Sequence, residues 1–135
     1  MVRRRNYSWN PEAKLTQLER KLGVRVVVEP RALILLQDFT EPTLDAVVRS
    51  ITRWAGDEEV TGVRVTAVEE PDDPGWEEVV FQIGVEADTE RAINEWRRLS
   101  EMFDKEVEGL DEASKERTYS DLGLILVWGA LAETD

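Results

Sequence analysis

Two stretches of alternating apolar and polar residues limit most strongly which folds this chain can adopt. They are Val60–Glu69 and Glu77–Ala87, and a loop with two prolines, Glu70–Gly75, separates them. Alternation with a period of two is typical of strands with one buried face, and Pro and Gly are typical of turns. The sequence therefore predicts an antiparallel β-hairpin with an acidic connection.

Three segments with a helical repeat of apolar residues lie on either side of this hairpin. They run over Asn10–Gly23, Thr40–Gly56 and Asp88–Gly109. Asn, Thr and Asp favour helix starts, and Gly favours helix ends, so both boundaries of each segment carry a signal. A fourth, charged segment, Asp111–Thr118, predicts one or two further helical turns.

Three short apolar runs complete the pattern. Val24–Glu29 is rich in β-branched residues and predicts a strand. Ala32–Gln37 follows the break at Pro30-Arg31, and we expect a second strand there. Leu122–Trp128 is too short for its periodicity to distinguish a strand from a helix.

From Ala32 to Trp128 the predicted order is β-α-β-β-α-β, which resembles the ferredoxin-like split βαβ fold. The resemblance implies an α+β domain with a four-stranded antiparallel sheet and two helices on one face. The N-terminal helix and the Val24–Glu29 strand would be additions. We expect residues 1–10 to form an arm and residues 11–135 to form a single domain. The fold hosts many unrelated functions and implies no activity.

Two of the apolar runs, Ala32–Gln37 and Leu122–Trp128, do not alternate between apolar and polar residues. A strand with one solvated face alternates, so continuous apolar strands predict that the second face is also covered. The N-terminal helix could cover it through Leu15, Leu18 and Leu22. A second copy of the chain could also cover it, which makes a homodimer an open alternative.

The residue types exclude several kinds of chemistry. The 135-residue chain contains neither His nor Cys, so thiol nucleophiles, disulfides, imidazole catalysis and Cys/His zinc sites are ruled out. The formal net charge of −12 makes nucleic-acid binding a poor expectation. We expect no cofactor and no catalytic residues.

The cellular compartment is predicted from the lack of a signal peptide and of a membrane-spanning segment in the sequence. Polar residues follow Arg3-Arg4-Arg5, where a signal peptide would need an apolar stretch. The longest apolar run, Leu122–Ala132, is shorter than the roughly 20 residues that a membrane span needs. We therefore expect a cytoplasmic protein without a membrane partner.

The densest group of charges lies at the predicted hairpin loop. Six of the ten residues from Glu69 to Glu78 are acidic. Their spacing does not match a calcium-binding loop, so we interpret them as a solvated connection and expect no metal. Asp38 and Glu41, just past a predicted strand, are the only carboxylate pair with a position suggestive of catalysis, and helix capping explains them more simply.

Helical stripes place Trp54 and Trp96 in the core, and the last apolar run places Trp128 there, so two of the five tryptophans remain. Trp9 precedes the first helix, and Trp76 follows the acidic loop. Tryptophan is enriched at binding hot spots, so both are candidate interface anchors. The predicted partner-binding residues are Trp9, Trp76, Asp72, Asp73, Glu77 and Glu78.

Three functions follow as hypotheses. The first is a non-catalytic interaction domain that binds a basic partner protein as an inhibitor or accessory factor, because an acidic surface accelerates such encounters. The second is a homodimeric regulatory domain that senses a small molecule. The third is an enzyme that works with carboxylates alone.

Overall fold

The structure, a computed structural model, describes residues 9–57, 59–73 and 75–128. The helices are α1 (Pro11–Leu22), α2 (Pro30–Leu36), α3 (Glu41–Trp54), α4 (Thr89–Glu108) and α5 (Glu112–Asp121). The strands are β1 (Val26–Val28), β2 (Val60–Glu69), β3 (Glu77–Val85) and β4 (Leu122–Val127). The prediction of a mixed α+β protein is confirmed. Most of the predicted arm, residues 1–8, lies outside the described residues.

The predicted hairpin is present. Strands β2 and β3 pair antiparallel, with Val65 opposite Phe81 and Val63 opposite Ile83. These four side chains are buried on one face of the sheet, as the alternation predicts. The hairpin therefore gives the sheet its two central strands.

The strand predicted at Ala32–Gln37 is wrong, because this segment forms helix α2. Pro30 occupies the first turn, where its fixed φ favours a helix and its missing N–H is not needed. The Leu33 N–H donates to the Glu29 carbonyl and closes that turn. Ala32 and Leu36, four residues apart, are the side chains that α2 buries.

The neighbours within the sheet also differ from expectation. The order is β1-β2-β3-β4, with β1 parallel to β2 and β3 parallel to β4. In a split βαβ unit another strand separates the two parallel strands, whereas here they are adjacent. The sheet is therefore mixed and does not clearly reproduce the ferredoxin-like arrangement.

The last apolar run is strand β4. Its burial alternates from Leu122 to Val127, so Leu122, Leu124 and Leu126 face the core. Its other side chains, Ile125 and Val127, are half-buried on the opposite face. The apolar character of both sets explains why the sequence alone did not distinguish strand from helix.

The helices share one hydrophobic core with one face of the sheet. Leu15 and Leu18 of α1 belong to the same cluster as α3, Val65 and Phe81. Helix α1 therefore packs beside α3 and does not cover the second face of the sheet. Of the two alternatives that the sequence left open, covering by the N-terminal helix is thus wrong. In the part of the chain that the structure describes, that second face carries no helix. We call it the open face.

Helix α2 gives a direct stability test. We predict that Leu36→Ala lowers the free energy of unfolding by about 2–5 kcal/mol, because Leu36 is fully buried. Ile34→Ala has little effect, since 54% of Ile34 is exposed. Chemical denaturation measures both. In a strand, residues 34 and 36 share a face, so equal losses in the two variants would contradict the helix.

Candidate functional site

A small concave site lies at the end of the sheet where β2 turns into β3. Its volume is about 200 Å³, and we call it the notch. The notch is lined by Val68, Glu69, Glu70, Pro71, Trp76, Glu78 and Ser120. It thus combines an exposed aromatic ring with three carboxylates and the ends of three elements.

Trp76 is held in a defined position although 42% of it is exposed. Its indole N–H donates to Asp121 Oδ1 at 2.9 Å. Its backbone N–H donates to the Asp73 carbonyl at 3.0 Å, and its carbonyl accepts from the Glu70 N–H at 2.9 Å. Gly75, with φ 102°, supplies the left-handed residue that this turn needs. The ring is therefore presented to solvent by a closed turn.

Glu78 stands on the open face beside this ring. Gly123 of the neighbouring strand leaves room for its carboxylate, since a Cβ there would lie 3.2 Å from Glu78 Oε2. Burial first, and then the nearby charges of Asp121 and Glu70, raise the pKa of Glu78 above its ordinary value. No ion pair to Glu70 or Glu78 forms among the described residues. Glu70 and Glu78 therefore bring negative charge to the notch that no ion pair among the described residues neutralises.

Glu77, the neighbour of Glu78, forms an ion pair with an arginine. The Arg31 Nε donates to both carboxylate oxygens of Glu77, at 2.9 and 3.0 Å, and a guanidinium Nη2 also contacts it. The hydrogen bonds from Arg31 lower the pKa of Glu77. Glu77 therefore joins α2 to the sheet and does not line the notch.

The other predicted partner-binding residues are dispersed. Asp72 and Asp73 are exposed on the hairpin turn, next to the notch in sequence but outside its lining. Trp9 is half-buried and packs against the hydrophobic core. Of the six predicted residues, only Trp76 and Glu78 are brought together in the notch.

One tryptophan assigned to the core from its helical position is at the surface. Trp96 is 40% exposed, and its indole N–H donates to the Leu124 carbonyl at 3.1 Å. Trp54, by contrast, is fully buried, as the sequence predicts. Trp96 therefore covers part of the β4 edge, where a free carbonyl could otherwise pair with another strand.

Five residues of the notch lining are not among the predicted partner-binding residues: Val68, Glu69, Glu70, Pro71 and Ser120. The alternation in β2 holds a usable signal for two of them, because residues two apart share a face of a strand. Val68 and Glu70 are two and four residues beyond Thr66, which lies on the open face. Ser120 reaches the notch through α5, and no local pattern indicates that.

The remaining candidates hold no assembled site. Glu41 is paired with Lys14 at 2.9 Å, while Asp38 lines a separate shallow cavity. Within residues 9–57, 59–73 and 75–128, no three metal-ligating side chains come together. No helix of that part of the chain has the length and apolar character to cross a bilayer.

Comparison with known proteins gives no identification. The chain matches no family model, no curated protein and no solved structure.

The charge on Glu78 predicts a pH-dependent stability. Because its pKa is raised in the folded protein, the ionised form opposes folding at neutral pH. We predict that Glu78→Gln raises the melting temperature of the dilute protein at pH 7. The gain disappears as the pH falls below the ordinary glutamate pKa of about 4.3, where both states carry the proton.

Thermal unfolding followed by circular dichroism measures this gain. Glu116→Gln, on the exposed surface of α5, is the matched control and shows a smaller effect at pH 7. A Glu78→Gln protein that is less stable than the wild type at pH 7 would contradict the assigned environment.

Proposed function

We propose that this protein is a non-catalytic protein-binding domain that receives a basic side chain of a partner protein in the notch. The observation that carries the proposal is the position of an exposed, fixed Trp76 ring beside two carboxylates that have no ion pair among the described residues. A guanidinium or ammonium group is the chemistry that complements both features.

The fit of a cation to the notch follows from two attractions. A guanidinium over the face of an indole is favoured by about 0.5–1 kcal/mol at an exposed site. Carboxylates such as Glu70 and Glu78 accept its hydrogen bonds, and charge-assisted bonds are the stronger ones. Since the Asp121 hydrogen bond already orients the ring, binding loses little side-chain entropy there.

The charge of the whole protein favours the same kind of partner. A net charge of −12 draws a basic protein toward the surface and repels nucleic acid. A domain with these properties would act as an inhibitor or accessory factor of its partner. It would do so without a cofactor, and we expect it to work in the cytoplasm.

The enzyme hypothesis gains no support from the placement of the acids. Two described carboxyl groups have raised pKa values, Glu78 and Asp104. The carboxylates that act on Asp104 are Glu108 and Glu101 of its own helix, whereas Asp121 and Glu70 act on Glu78. The two acids therefore belong to separate surroundings and form no acid–base pair.

A single basic side chain is the sharpest probe of the notch, because a long polycation would bind any acidic protein. We predict that N-acetyl-arginine methylamide shifts the Trp76 indole N–H signal in an NMR titration of the dilute protein. The Trp76→Phe variant assigns that signal. Glu70→Gln and Glu78→Gln each weaken binding by about two- to fivefold, as for exposed charge pairs.

Two controls accompany this titration. N-acetyl-leucine methylamide, which has no charge, leaves the signal in place, and Glu116→Gln binds the arginine probe as the wild type does. Shifts spread over the helices, or an unmoved Trp76 signal, would exclude the notch as the binding site.

A further inference from the structure

The charges of the open face are separated along the strands. Arg25 and Arg64 lie toward one end, and Glu70 and Glu78 lie toward the end that bears the notch. Arg64 of β2 and Glu70, which directly follows that strand, are six residues apart, which corresponds to about 20 Å of extended chain. The face therefore has one basic and one acidic end.

The basic end is a shallow depression. Arg25, Arg64 and Gln82 line a cavity of about 240 Å³ above the paired glycines Gly62 and Gly84. In the described part of the chain, neither arginine forms an ion pair. In a protein with 29 acidic residues, two such arginines on one face indicate a ligand or partner that brings carboxylates.

Apolar side chains lie between and beside the charged groups of the open face. Val80 lies opposite Thr66, between the row of Arg64 and the row of Glu78. Val27, which is 41% exposed, and Ile125 lie in the row of Arg64, and Val127 lines the basic end. The Thr66 hydroxyl is buried at the centre with no hydrogen-bond partner among the described residues. Apolar side chains flanked by opposite charges are the composition of a protein interface rather than of a solvated sheet.

We propose that a second copy of this chain covers the open face, with the strands of the two copies running in opposite directions. The two-fold axis lies between the sheets and crosses the strands, so the basic end of each copy meets the acidic end of the other. Such an interface is self-complementary, as a two-fold dimer requires. This inference rests on the proposed function, because it names Arg25 and Arg64 of the second copy as the side chains that enter the notch.

Faces, rather than sheet edges, are the surfaces that pair. At one edge Trp96 already occupies the Leu124 carbonyl, and at the other β1 has only three residues. Four strands about 4.8 Å apart and about 20 Å long give roughly 400 Å² of flat contact, below that of a standard interface. Because the contact is small and two copies of net charge −12 repel each other, the dimer is reversible and depends on protein concentration.

Charge reversal tests this arrangement by sedimentation velocity. The wild type shows a monomer–dimer equilibrium over a concentration series. The Arg25→Glu/Arg64→Glu protein and the Glu70→Arg/Glu78→Arg protein each dimerise at least roughly tenfold more weakly, because like charges then face each other at both ends. In an equimolar mixture of the two variants, a mixed dimer forms that contains one chain of each variant.

The restored mixed dimer is the decisive result. Both double variants remain net negative, so their overall charge cannot draw them together. Arg20→Glu/Arg97→Glu makes the same charge change on exposed helix positions and leaves dimerisation close to that of the wild type.

Two results would overturn the inference. One is a wild type that stays monomeric at every concentration; if the arginine probe still shifts Trp76, the proposed function survives and only the second copy is excluded. The other is a wild type that dimerises while the variant mixture does not, which excludes this pairing of the faces. An unmoved Trp76 signal would instead remove the proposed function.

Discussion

Both helical crossovers lie on one face of the sheet, and this placement determines where the core and the proposed binding surface lie. Strands β1 and β2 run parallel, and so do β3 and β4, but the two pairs point in opposite directions. Two right-handed crossovers advancing the same way across this sheet would place their helices on opposite faces. Here α3 and α4 share a single core, so the two crossovers have opposite hands and one departs from the usual preference. The open face is the direct consequence.

The same strands supply the core and the proposed binding surface because their side chains alternate. In β3, Val79, Phe81 and Ile83 fill the core, while Glu78, Val80 and Gln82 point the other way. A change in the register of this strand would exchange the two sets, so stability and binding are coupled through it. The core side chains therefore determine which residues lie on the open face, although they themselves lie on the other face of the sheet. This explains how Arg64 and Glu78 can lack an ion pair among the described residues although the core is well packed.

Long periodic segments were predictable from the sequence, and short or paired features were not. Helices α1, α3 and α4 carry both a repeat and end signals, and the hairpin strands alternate over nine or ten residues. The apolar run in α2 is too short for its period to decide, although Pro30 at its start was a signal for a helix. Trp76 and Glu78 could be named from composition around the hairpin turn. The ion pair of Glu77 with Arg31 spans 46 residues, and no local pattern contains it.

The accessibility of methyl groups on the open face distinguishes a face that a second copy covers from one that stays in solvent. A soluble paramagnetic agent broadens the NMR signals of exposed methyls, and the effect can be followed as the protein concentration rises. We expect Val27 and Ile125 to become protected at high concentration, while Ile93 on α4, which is 38% exposed, remains accessible. Equal accessibility of all three at every concentration, or protection of Ile93 alone, would contradict this expectation.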